Sequence, residues 1–367
     1  MRSDNYTGKT VFVGIDVHKK TYSCVSMCEG EIVKRDTMPA SPKILANYLN
    51  NSFGLAKIKT AYEAGFSGFH LHRHLVLQGV NSIVVHPGSI EVASHNRVKT
   101  DKRDAQKIAG QLAAGRLRGI FVPTTKREEM RSLTRLRANV MKLRHQIGQQ
   151  LKGLLFMHGQ IEPDDDTVIC KKWILEKQAE IETGVFSSDF KYSISQYAEQ
   201  WIQLTDRVKG IELRIKTQGE EDCTLQALYE SVPGIGPVHA RQLANELGDM
   251  KQFHNEKQLF SFLGLTPSEH SSGEHTRQGH ITRQGNPALR KIFIETAWFA
   301  IREDESLKEI FDRISVRRGR KRAIVGIARR LAGRIRGCVL RGEFYEIRPA
   351  QEARLLQKKA RPRTVIQ

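Results

Sequence analysis

The run VFVGIDVHKKTYSCVSM, residues 11–27, is apolar and β-branched around Gly14 and reads as a strand, with Asp16 closing its first half. A second strand, EIVKRDTM (31–38), follows across Glu29-Gly30. SPKILANYLN then has helical spacing, opened by Ser41 as cap and Pro42 at the first helical position. KIKTAYEAG is a further strand carrying Glu63, SGFHLHRHLVLQG a helix ending at Gly79, and NSIVVHPG a strand closed by Pro87-Gly88. Strands alternating with helices to about residue 116 predict an α/β sheet with helices packed on it. The opening hairpin makes that sheet mixed.

The 367-residue chain carries 59 Lys+Arg against 40 Asp+Glu, a formal net charge of +19. That excess points to a polyanion, and nucleic acid rewards dispersed cations through counterion release. An anionic membrane would call for an anchor or a long apolar segment, and the sequence shows neither. Cys24, Cys28, Cys170, Cys223 and Cys338 are odd in number and form no zinc spacing. With a polar N-terminus in place of a signal peptide, they predict a soluble protein of the reducing cytoplasm.

From Lys126 to about Gln160 the pattern becomes long, glycine-poor and heptad-like, and 195–218 repeats it. Two such helices around a variable middle (163–190) predict an antiparallel coiled coil, a spacer or oligomerisation arm. Asp164, Asp165 and Asp166 in that middle read as solvated acids. After Thr224 a new domain begins, with Pro233-Gly234-Ile235-Gly236-Pro237 between two helical segments. This is a helix–hairpin–helix pattern, in which a glycine turn exposes backbone N–H groups to a DNA phosphate. Residues 311–367 hold 17 Lys+Arg against four acids. Within them Ala323, Ile324, Ile327, Ala328, Leu331 and Ile335 form one packing face of a helix whose other faces are arginine. The tail past Glu352 is expected to be disordered without its partner. The expected domains are 1–122, 123–222, 223–345 and a basic tail, 346–367.

Within this polycation, Asp16, Glu63, Asp101 and Asp104 are the candidate catalytic and metal-holding acids. Asp16 is expected near the centre of the first strand, Glu63 on a neighbouring strand, and Asp101 and Asp104 at i and i+3 on one helix face. Magnesium prefers oxygen ligands, and nuclease centres use two ions about 3.5–4 Å apart. Asp101 and Asp104 alone could simply favour a helix N-terminus. An acid at a strand centre is costly without a function.

GIDVHK, YEAG and KTDKRDA, in that order and spacing, resemble the DEDD-type insertion-sequence transposases, related to the pilin-gene invertases. The resemblance implies a RuvC-like RNase H fold for the N-terminal domain, and it extends through PGIG into a mainly helical C-terminal transposase domain. It further implies Mg2+ as cofactor, target and donor DNA as partners, and a structured guide RNA encoded by the element. A bacterial location, nucleoid-associated when active, follows from the same likeness.

Residues 264–298 are rich in Gly, Ser, His and Arg, with little apolar periodicity before Leu289. They could be a plain surface loop. Yet Arg277, Arg283, Arg290 and Lys291 would gather cations around Ser271-Ser272-Gly273, which suits attack on a phosphodiester. In the resembled family the serine before glycine becomes joined to DNA, which maps to Ser272, with Ser271 and Ser268 as alternatives. Gly285-Asn286 with Arg290 matches a GN…LR element, implied to shape a turn and hold phosphate. His270, His275 and His280 are candidate proton carriers, and His70 and His74 read as structural. Strand exchange between two duplexes suggests a dimer of dimers. The rival readings are a Mg2+-dependent junction endonuclease acting by hydrolysis and a non-catalytic nucleic-acid-binding protein.

Overall fold

A computed structural model of the chain describes residues 6–91, 101–162, 164, 166–272 and 275–347, without the side chains of Lys102, 270–272 and 275–278. The chain divides into two compact units, Met1–Pro123 and Thr124–Gln367.

In the first unit, β1 (Thr10–Val17), β2 (Thr21–Cys28) and β3 (Glu31–Pro39) form an antiparallel meander, and β4 (Lys57–Glu63) and β5 (Asn81–Val85) add in parallel, in the order β3-β2-β1-β4-β5. The expected single strand over 11–27 is therefore two. It breaks at His18-Lys19-Lys20, all exposed, where the His18 N–H donates to the Thr21 carbonyl at 2.9 Å. Two successive lysines cannot continue through the middle of a covered sheet. The turn at Glu29-Gly30 has left-handed φ at both residues, 51° and 87°, as a tight hairpin requires. α1 (Pro42–Phe53) starts as its sequence dictates, with the Ser41 hydroxyl accepting from the Ile44 N–H.

Strand alternation sorts the two faces of the sheet. Val11, Val13 and Ile15 are fully buried in a core with Leu45, Leu49 and Phe53 of α1 and Leu71 and Leu75 of α2 (His70–Leu77). The opposite face is covered by α3 (Asp101–Ala113). Its Ala105, Ile108 and Ala109 pack on Val25, Ala61 and Val85. The small residues there allow close approach: a Cβ at Gly14 would stand 2.1 Å from the Ala105 carbonyl oxygen.

In the second unit α4 (Thr125–Met157) and α6 (Ser188–Glu221) pack side by side. Their contacts run in opposite senses: Arg137 pairs with Glu212, Gly148 abuts Trp201, and the His158 ring lies 4.2 Å from Phe190. The pair is therefore antiparallel. The intervening segment, read from sequence as variable, contains α5 (Lys171–Thr183). Trp173, Ile174 and Ile181 of α5 are buried with Leu151, Leu155, Phe190 and Trp201. Its charged exposed face hides a three-residue apolar stripe from a reading by composition.

The remaining helices are α7 (Cys223–Glu230), α8 (Pro237–Leu247), α9 (Glu256–Phe262), α10 (Pro287–Glu303), α11 (Glu305–Arg318) and α12 (Arg320–Arg341). They share one core running from Leu228 to Tyr345, into which α12 buries Ala323, Ile324, Ile327, Ala328, Leu331 and Ile335 as its spacing predicts. Asp304, 1 % exposed, caps α11 and pairs with Arg334 at 2.6 Å. Between α9 and α10 lies a two-stranded antiparallel sheet, β6 (Pro267–Ser272) with β7 (His275–Ile281), where the sequence allowed a plain loop. The sequence of this hairpin is polar and has no apolar alternation, so it left no periodic signal. Among the described residues no helix is long and apolar enough to cross a membrane.

Candidate functional site

The acidic centre is built at the carboxyl ends of two adjacent parallel strands. Gly14 faces α3, and strand alternation puts Asp16 on the same face. Ile15 is in register with Tyr62, so Glu63, exposed at the end of β4, follows beside Asp16. Asp16 is the penultimate residue of β1, which corrects its expected place near the strand centre. It is β1 itself that is central in the sheet. The strand end leaves the carboxylate accessible from one side, its side chain 22 % exposed.

α3 delivers the other two acids. Asp101 is its first residue and Asp104 lies one turn on, so both also sit in the favourable field of the helix N-terminus. The carboxyl of Asp16 is pushed above its ordinary range, first by burial and further by the negative charges of Asp101 and Asp104, with His18 opposing. Three of the four expected acids thus share one electrostatic neighbourhood, with Glu63 on the adjoining strand. Asp104 is partly neutralised by Lys107, whose Nζ lies 2.9 Å from Oδ1.

His18 was not among the residues expected here. Its Nε2 lies 3.1 Å from Asp16 Oδ2 and 3.2 Å from Asp101 Oδ1. One ligand atom from each of Asp16, His18 and Asp101 lies within 4.8 Å of the others. The available signal was the spacing: His18 stands two residues beyond Asp16, and so does Asp16 beyond Gly14. Hard carboxylate oxygens gathered at one point form a donor set suited to a divalent cation. His70 and His74 lie on α2 and belong to no such group among the described residues.

In the second unit PGIG, residues 233–236, lies in the turn between α7 and α8, and Pro237 opens α8. Gly234 has φ 86°, and a Cβ there would stand 2.6 Å from Cβ of Phe299, so packing and backbone both demand glycine. Gly236 is the N-cap of α8, brings no capping side chain and faces open space. Close by, burial together with Arg137 and Lys291 holds His239 below its ordinary range, against the effect of Glu295. His239, on the first turn of α8, thus lies near two cations and one acid.

The candidate serine region is partly described. Ser272 ends β6 and pairs in register with His275; the side chains of His270, Ser271, Ser272, His275 and Arg277 lie outside the described residues. The Ser268 hydroxyl donates to the His280 carbonyl at 3.0 Å. Asn286 caps α10, its Oδ1 accepting from the N–H groups of Ala288 and Leu289. Arg290 donates through Nη1 to the Leu263 and Arg283 carbonyls, and Arg283 holds a left-handed φ of 57°. This element shapes the base of the hairpin. Lys291 points outward, 3.6 Å from Glu295 on the next turn. Asp165 and residues 348–367 of the basic tail lie outside the described residues.

Residues 13–158 match a family model for DEDD transposases of the IS110 type, and residues 226–312 match one described as the transposase IS116/IS110/IS902 family. The first match covers all four acids and the second the PGIG turn, Ser272 and the GN…LR element. The y4qE protein of Sinorhizobium fredii, whose name assigns it provisionally to the transposases, is 30 % identical over 297 residues, 79 % of this chain and 72 % of that protein. The transposase for insertion sequence element IS1111A of Coxiella burnetii is 25 % identical over 346 residues, 91 % of this chain and 90 % of its own. The transposase for IS1533 of Leptospira borgpetersenii is 26 % identical over 305 residues, 79 % of this chain and 85 % of its own. The chain belongs to the IS116/IS110/IS902 family of transposases.

Proposed function

We propose that this insertion-sequence transposase recombines DNA through two chemical centres: a Mg2+-holding acidic tetrad, Asp16, Glu63, Asp101 and Asp104, and the hydroxyl of Ser272. The observation that carries the reading is the convergence of Asp16, Asp101 and Asp104 at one end of a mixed sheet, with the charges of the latter two raising the proton affinity of the first. The same architecture supports assigning the first unit to the RuvC-like RNase H class. When bound, Mg2+ supplies positive charge to a scissile phosphate. Asp16 and Glu63 would hold it from the sheet, and Asp101 and Asp104 from α3.

Ser272 attacks the phosphorus: the Oγ–P bond forms as one strand P–O bond breaks, and the serine proton passes to the departing sugar oxygen. The ester conserves the energy of the broken bond, so a second strand can be joined without ATP. The reading of Ser272 rests on the family motif, and His275, in backbone register with it, would serve as a proton carrier. The open N-terminus of α8 at Gly236 and the arginines of α12 serve the nucleic-acid backbone. A structured RNA that pairs with target and donor DNA, and a dimer of dimers that holds two duplexes, complete the proposal.

The test is trapping on DNA carrying the element's ends. The protein should yield a covalent protein–DNA adduct that Ser272→Ala abolishes. Continued cleavage by Ser272→Ala without an adduct would instead establish hydrolysis.

A further inference from the structure

We infer that His18 is a nitrogen ligand of the acidic centre and biases it toward transition-metal divalent ions over Mg2+. The inference rests on the proposed metal-holding role of Asp16 and Asp101 and adds to it a residue outside the acidic tetrad. Its Nε2 stands between the two carboxylates, at 3.1 Å from Asp16 Oδ2 and 3.2 Å from Asp101 Oδ1. Both oxygens and this nitrogen lie within 4.8 Å of one another. An ion held by Asp16 and Asp101 in this arrangement therefore meets an imidazole at the same point.

The backbone keeps it there. His18 follows β1 directly, and its N–H is tied to the Thr21 carbonyl at 2.9 Å across the turn into β2. The side chain is 47 % exposed and is turned toward the two acids. Lys107 already neutralises Asp104 from α3, whereas Asp16 and Asp101 share only His18 among the ion pairs of the described residues.

The chemical consequence is selectivity. Magnesium takes oxygen donors and retains its waters, whereas imidazole is a good ligand for first-row transition ions. A mixed set of two carboxylates and one imidazole therefore favours Mn2+ over Mg2+. The alternative is that His18 acts only as a hydrogen-bonding partner that holds two carboxylates together until an ion displaces it. That role predicts the opposite result on removal, because a competitor for the carboxylates would be gone.

The experiment is Mn2+ and Mg2+ titration of the full-length protein, its His18→Ala variant and its Asp16→Asn variant, with electron spin echo spectroscopy of the Mn2+ complex. The expected result is nitrogen coupling to Mn2+ in the unaltered protein and none in His18→Ala. Mn2+ affinity should fall on the order of tenfold in His18→Ala, with little change for Mg2+. Unchanged or tighter Mn2+ binding by His18→Ala, or no nitrogen coupling in the unaltered protein, overturns the ligand role alone. Mn2+ binding by Asp16→Asn equal to that of the unaltered protein overturns the acidic centre itself, and the inference with it.

Discussion

Gly14 of β1 and Ala105 of α3 are in backbone contact: a Cβ on Gly14 would stand 2.1 Å from the Ala105 carbonyl oxygen and 2.4 Å from the Ala109 nitrogen. The contact sets the height of α3 above the sheet. Asp16 lies two residues along the strand and Asp101 one turn back along the helix, so the same contact sets their separation. Because the atoms met are backbone, α3 as a whole must move to admit a side chain. Gly14→Ala should lower stability by about 1–3 kcal/mol in a denaturant titration. It should also weaken divalent-ion binding, although no ligand is altered.

Asp16 illustrates a cost of function. Burial and the charges of Asp101 and Asp104 disfavour its ionised form in the fold. Asp16→Asn should abolish recombination yet raise the melting temperature, by roughly 2–8 °C at neutral pH without divalent ions. Calorimetry in EDTA measures the shift. A lower melting temperature would mean that the carboxylate is structurally required.

The buried pair of Asp304 and Arg334 has no such freedom. Asp304 is 1 % exposed and also caps α11 through the Leu307 N–H. Arg334→Ala leaves this carboxylate buried without its cation and should cost about 3–5 kcal/mol. Asp304→Asn, which retains an acceptor for the Leu307 N–H, should cost less. Urea melts of the two variants compare them directly.

Cysteine reactivity reports the core of the first unit. Burial, with help from Asp36, pushes the Cys24 thiol up from an ordinary 9.0 to about 12, while Cys170 and Cys223 are exposed. Iodoacetamide at pH 8 should therefore label Cys223 and Cys170 and spare Cys24 until the protein unfolds. The stability linked to Cys24 is full below pH 9 and declines as pH rises toward 12, because the unfolded chain ionises first. Mass spectrometry of labelled peptides and alkaline melting curves test both statements.

The serine assignment separates in one comparison. Ser272→Ala should remove the covalent DNA adduct, whereas Ser271→Ala should retain it at reduced yield. Retention by the former and loss by the latter would move the nucleophile by one residue.

Most elements of the first unit were legible in local sequence. Ser41-Pro42 opens α1 and Glu29-Gly30 turns the hairpin because capping and left-handed φ are short-range requirements. The break at His18–Lys20 was missed because the apolar pattern resumes at once in β2. α5 and the β6–β7 hairpin were missed because neither offers a long periodic apolar stripe.

By itself the sequence determined the residue inventory: acids at strand ends and at a helix start, a glycine turn before α8, an arginine-coated helix and the family to which they belong. Tertiary structure alone decided which of these groups meet. It put Asp101 and Asp104 within electrostatic reach of Asp16 across about ninety residues of chain, drew His18 between two carboxylates, and turned Asn286 and Arg290 inward to brace a hairpin. The physical reason is that donor distances depend on strand register and helix height. Those are settled by packing contacts such as Gly14 on Ala105, between residues far apart in the chain.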